Sequence, residues 1–187
     1  LALIHLRRWK AFLSGRSQRL SEEEMRGLFA ELAFLLELME WLSPAKAIDA
    51  WLGPDKSHQD FIYGNKAVEV KSLSGAERST VRISSEDQLE SLNDELFLRI
   101  YRLSNVDGVS GARSLNDMVA AVLVGLNDAE SMGGFAAQLA AYHYAPLPDY
   151  DEPHFIISAV HTYRVQEDFP CLVRSQLVTG LTKVSYD

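Results

Sequence analysis

Apolar and polar positions divide the chain into stretches with two different periods. Residues 1–14 place Leu3, Leu6, Trp9, Phe12 and Leu13 at helical spacing ahead of Gly15, which predicts a first helix. Ser21 and Glu24 then stand at the spacing of a capping box. Residues 22–42 keep strong helix formers, with apolar side chains on most of the circumference. Such a helix is expected to be largely buried. A short helix over 45–51 should follow, stopped by Gly53 and Pro54.

The period then changes. Asp60 to Tyr63 and Ala67 to Lys71 read as two strands joined by a two-residue Gly64-Asn65 turn. A third strand is expected at 80–83. Ser85 with Gln88 should cap a helix reaching about Arg102, and Ser114 with Asp117 another over 115–126. A further helix is expected over 130–142 despite Gly133 and Gly134. Residues 155–165, rich in β-branched and aromatic side chains, predict a strand, and 181–186 a short final one. No internal repeat, low-complexity tract or linker interrupts this order.

The turn fixes the register of the hairpin, and the register brings chemistry together. With Gly64 and Asn65 as the loop, Tyr63 faces Lys66, Ile62 faces Ala67, Phe61 faces Val68, and Asp60 falls opposite Glu69. Like charges directly across a strand pair are destabilising unless something positive lies between them. Alternation places Lys71 on the face of Glu69, while Val68 and Val70 point the other way into the core. Hard oxygen ligands with positions open to water suit Mg2+ or Mn2+, and the backbone carbonyl of Val70 is a further candidate ligand. The competing reading makes Glu69 and Lys71 ordinary exposed residues of an edge strand and Asp60 a strand-start residue.

Two neighbours bear on that choice. Glu31 sits in the middle of the nearly all-apolar helix, with Gly27, Leu28, Leu35 and Leu38 on its face, where an unpaired carboxylate is costly. It needs a partner, whether a metal site, a salt bridge or a snorkelling route to water. Gln88 lies where it could orient water or phosphate, or simply complete a capping box.

Length and charge bound the rest. With 187 residues, 47% of them hydrophobic, the chain can bury one sizeable core, and a single domain over 1–187 is expected. The opening Leu-Ala-Leu reads as a trimmed amino end with protein missing upstream. Charges inside that stretch argue against a signal peptide or membrane span. Cys171, the lone cysteine, cannot form an internal disulfide, which points to a reducing cytoplasm. A net charge of -8 excludes a protein that coats nucleic acid by charge alone. Residues 1–20 nevertheless hold Arg7, Arg8, Lys10, Arg16 and Arg19 and no acid, while acids concentrate in the later helices and the 149–152 loop. Arg7, Arg8 and Lys10, with Arg78 and Arg82 around the third strand, are the candidate phosphate contacts. A solvated helix face is the alternative.

The ordered segments Gly27-Leu-Phe-Ala-Glu31-Leu, His58-Gln-Asp60-Phe, Val68-Glu69-Val-Lys71-Ser72 and Ile83-Ser-Ser-Glu-Asp-Gln88-Leu resemble the PD-(D/E)xK nucleases. More narrowly, the chain resembles the prokaryotic family of domain of unknown function 4420, along almost its whole length. The resemblance implies an α/β fold of restriction-endonuclease-like core, a central mixed β-sheet flanked by α-helices. It implies a metal-dependent endonuclease acting on DNA in restriction or defence, with Asp60 and Glu69 as metal ligands, Lys71 as catalytic lysine, and Glu31 and Gln88 as accessory groups. The superfamily signature puts Pro-Asp before the acid, whereas Pro54-Asp55 lies upstream of Asp60 here. Asp60 is preferred because only it lands opposite Glu69, and Asp55 is the reserve. A catalytically silent DNA-binding or complex-assembly module is the alternative, against which the intact acid, acid, lysine set speaks. A homodimer is a further expectation, with the apolar helices between 115 and 142 as its interface, although core packing explains them equally well.

Overall fold

The computed structural model describes residues 19–54, 59–75, 95–106, 108–166 and 169. The helix expected at 1–14 and the strands expected at 80–83 and 181–186 lie outside them.

Helix α1 (Glu22–Trp41) starts at the expected capping box: the Glu24 amide donates to Ser21 Oγ at 3.2 Å, and the Ser21 amide donates to the Glu24 carboxylate at 2.7 Å. Its all-round apolar character has a structural cause. One side packs on the sheet and the other receives α3 (Leu115–Gly125), so residues from Leu28 to Leu35 are buried without a break. Helix α2 (Pro44–Ala50), capped by Ser43, packs against α1 and against α4 (Ala129–Ala141). Leu35 is wholly enclosed in this core. Leu35→Ala should therefore cost about 3 kcal/mol in a denaturant titration; a loss under about 1 kcal/mol would mean that α1 is not held as described.

The sheet is mixed, in the order β1 (Phe61–Tyr63), β2 (Lys66–Ser74), β3 (Glu95–Asn105), β4 (Phe155–Val165). Strands β1 and β2 pair antiparallel in the expected register, Phe61 with Val68, Ile62 with Ala67 and Tyr63 with Lys66. Gly64 opens the turn at φ 58°, a conformation that favours glycine. Strand β2 runs parallel to β3, and β3 antiparallel to β4.

Strand β3 corrects the helix expected to run to Arg102. Residues Glu95–Asn105 form a strand between two others, buried on both faces. Leu96, Leu98 and Ile100 enter a small core with Ala67 and Leu73, while Tyr101 and Leu103 enter the large core under α1. A strand covered on both sides loses the alternation of apolar and polar positions that would mark it.

Strand β4 is the last of the described strands in the sheet and carries an irregularity. The β3–β4 register shifts between Arg102 and Leu103, so Ala159 faces Arg102 and Ile157 faces Leu103, with Ser158 as the extra residue. Phe155 at its start is buried edge-on against Phe29, ring centroids 5.3 Å apart. Among the described residues, no helix is long and apolar enough to cross a membrane.

Candidate active site

The hairpin has the expected register as far as Phe61 with Val68, and its ladder stops one pair short of Asp60 and Glu69. Asp60 stands just before β1, and along that strand Phe61 and Tyr63 pack into the large core and Ile62 against the small one. Val68 and Val70 lie in the large core, and Ala67 and Leu73 in the small one, which assigns Glu69 and Lys71 to the face of Ile62. Lys71 Nζ stands 2.8 Å from Glu69 Oε1.

Where β1 leaves the ladder, the Asp60 side chain takes its place. Its Oδ2 accepts the Val70 amide at 2.7 Å. A residue in an extended strand points its N–H and C=O to the same edge, so the Val70 carbonyl is directed toward Asp60 as well. On the other edge of β1, Trp51 bridges Phe61, and the Leu52 amide donates to the Asp60 carbonyl at 2.9 Å.

Burial dominates the electrostatics. Glu69 is 1% exposed, and burial followed by the Asp60 charge raises its carboxyl to about 8 against the pull of Lys71. Burial likewise raises Asp60 to about 6, opposed by the Val70 amide and Lys71. Glu69 Oε2 is buried and, among the described residues, accepts no hydrogen bond. An orphaned carboxyl oxygen in such a place is costly, and a cation is a group that would satisfy it. Among the described residues, no three or more His, Cys, Asp and Glu side chains converge as a metal-holding group. The donors on hand are two carboxylates and a peptide carbonyl. They fit an ion that keeps several waters, as Mg2+ does.

Glu31 is 7% exposed, and its pKa is raised by burial first and the Asp60 charge second. It does not snorkel, and among the described residues it forms no salt bridge. Its Oε2 accepts the Trp51 indole N–H at 2.8 Å and the Tyr142 hydroxyl. These two donors were missed by sequence reasoning. They lie 20 and 111 positions away, where no local spacing reveals them; the one available signal was the need of a buried glutamate for partners.

Gln88, Asp55, Arg7, Arg8, Lys10, Arg78 and Arg82 lie outside the described residues. Arg19 is described and pairs with Asp149 at 2.8 Å on the surface. On the opposite sheet face, a groove of about 200 Å3 is lined by Phe34, Trp41, Tyr63, Phe97 and Arg99 among others. The Arg99 guanidinium there is engaged by Glu37, Tyr101 and Thr162, and the groove contains none of the carboxylates discussed above.

A mixed sheet flanked by helices, with an acid, an acid and a lysine meeting on one hairpin, is the architecture of a PD-(D/E)XK-like, nuclease-like core. The family model described as "Putative PD-(D/E)XK family member" (DUF4420) matches residues 2–187, and the chain belongs to that family. No curated protein and no solved structure gives a match.

Proposed function

We propose that this chain is a divalent-metal-dependent endonuclease that hydrolyses DNA phosphodiester bonds, in the setting of prokaryotic restriction or defence and in the cytoplasm. The observation that carries the reading is Glu69 Oε2, a buried carboxyl oxygen without a hydrogen bond among the described residues, in a group paired with Lys71 and within reach of the Asp60 charge. Family membership supports a nuclease-like chemistry and DNA as substrate.

Asp60, whose Oδ2 is committed to the Val70 amide, would hold Mg2+ or Mn2+ through its other oxygen, together with Glu69 Oε2 and the Val70 carbonyl. When bound, the ion supplies a Lewis acid and a water of lowered pKa. Lys71 would place its ammonium against the phosphoryl oxygens and the attacking water, stabilising the negative charge that develops there. Glu31 serves as an accessory acid beside Asp60.

The test is conversion of supercoiled plasmid to nicked and linear forms with Mg2+ or Mn2+, with single-stranded DNA in parallel and Asp60→Ala as control. Cleavage by the native chain and none by the variant is expected. Absence of cleavage on either DNA, with no metal-dependent rise in melting temperature, would sink the reading and favour a silent DNA-binding or assembly module.

A further inference from the structure

Both donors to Glu31 are neutral, and both donate to the same oxygen, Oε2. Such an arrangement fixes the carboxyl group without supplying a counter-charge, and among the described residues Oε1 has no donor of its own. A core gains nothing from a buried charge as such, since well-packed apolar groups in its place are often neutral or stabilising. A glutamate held by two dedicated donors therefore points to a use for the carboxyl group itself.

The donors are in turn held in place. The Trp51 ring stacks with Phe61, 6.5 Å away at 19°, and with Tyr142, 5.5 Å away at 16°. The Trp51 carbonyl accepts Gln138 Nε2 from α4 at 2.7 Å. Gly53, at φ 70°, makes room for this contact, because a Cβ there would stand 2.5 Å from Gln138 Oε1. Tyr142 is the residue that ends α4. Since Trp51 and Leu52 also bond the backbone around Asp60, one short segment ties α4, the Glu31 carboxylate and the Asp60 strand together.

We propose that Trp51 and Tyr142 are positioning residues that hold the Glu31 carboxylate beside Asp60 and thereby set the divalent-cation affinity of the Asp60 and Glu69 site. This rests on the reading of that site as a metal centre. Tyr142→Phe and Trp51→Phe each remove one donor and keep an aromatic ring. Titration calorimetry with Mn2+ on the whole chain should show each weakening affinity about tenfold, the scale of losses when the partners of metal-site groups are removed. Glu31→Gln should weaken it at least as much. In the Glu31→Gln background, Tyr142→Phe should add little, because the two act through one carboxylate. Tyr144→Phe deletes a hydroxyl that donates to Asn116 Oδ1 and should leave Mn2+ affinity unchanged, whatever it does to the melting temperature.

Native Mn2+ affinity in both Tyr142→Phe and Trp51→Phe would overturn the proposal. So would an undiminished Tyr142→Phe loss in the Glu31→Gln background, or an equal loss in Tyr144→Phe. A native chain that binds no Mn2+ removes the metal-centre reading and this inference with it. A native chain that binds Mn2+ and is indifferent to Tyr142 removes only this inference.

Discussion

Lys71→Ala should lower DNA cleavage by about 10²–10³-fold, the usual loss when one preorganised donor to a developing negative charge is removed. The fold should survive the change. Lys71 ends in an ion pair with a carboxylate that burial already drives toward its neutral form, so Glu69 can take up a proton when its partner is gone. The melting temperature in the absence of metal should move by only a few degrees. Lys71→Arg is not expected to restore the rate, because a planar guanidinium cannot occupy the place of a compact ammonium against the same face. Cleavage within about threefold of native in Lys71→Ala, under single-turnover conditions, would remove Lys71 from the mechanism.

Without divalent cations, the protein should lose stability as pH rises. Asp60 and Glu69 carry folded-state values of about 6 and about 8, above their ordinary 3.8 and 4.5. The folded state thus binds these protons more tightly than the unfolded state does. The stabilisation is complete below about pH 4 and is lost as pH climbs through the two folded values. At roughly 1.4 kcal/mol per unit, the combined loss amounts to several kcal/mol by about pH 9. Glu69→Gln removes the larger part of it. That variant should melt higher than the native chain at about pH 8.5 without metal, and Mg2+ should raise its melting temperature less than it raises the native one. For the native chain the Mg2+ effect should grow with pH, as the cation replaces the protons. A metal-free melting temperature that stays level across this range would show that the two carboxyls are not buried as described.

Much of the site was legible because its information is local. The Gly64-Asn65 turn fixes which residues oppose each other in the hairpin, and alternation along β2 puts Lys71 beside Glu69, while Asp60, one step beyond the paired residues, sets its carboxylate on the Val70 amide. The capping boxes at Ser21 and Ser114 were readable for the same reason, since each is a contact over three positions. Glu31 was legible as an anomaly: a carboxylate on an apolar helix face announces a need without naming what meets it.

The rest depends on contacts between distant parts of the chain. Glu95–Asn105 carries apolar residues at even and odd positions together with Arg99, a mixture that suits an amphipathic helix as well as a central strand. What decides for the strand is tertiary: Arg99 is accommodated by Glu37 from α1 and Thr162 from β4. The amide of Val70 as partner of Asp60 was missed because it is a backbone group, and sequence reasoning had assigned Val70 a carbonyl role only.

The extra residue in β4 has a further consequence. Before the irregularity the paired residue numbers of β3 and β4 add to one total, and after it to a total smaller by one, as in Tyr163 with Leu98 and Phe155 with Asn105. Side chains change sides with every step, so Ser158 is what allows Thr162 and Phe155 to face the same way. A chain shortened by that one serine would present the Phe155 ring to the wrong layer and leave a hole beside Phe29. For this edge of the molecule, strand length matters as much as strand composition, and a deletion there should be worse tolerated than almost any exchange of Ser158 for another small residue.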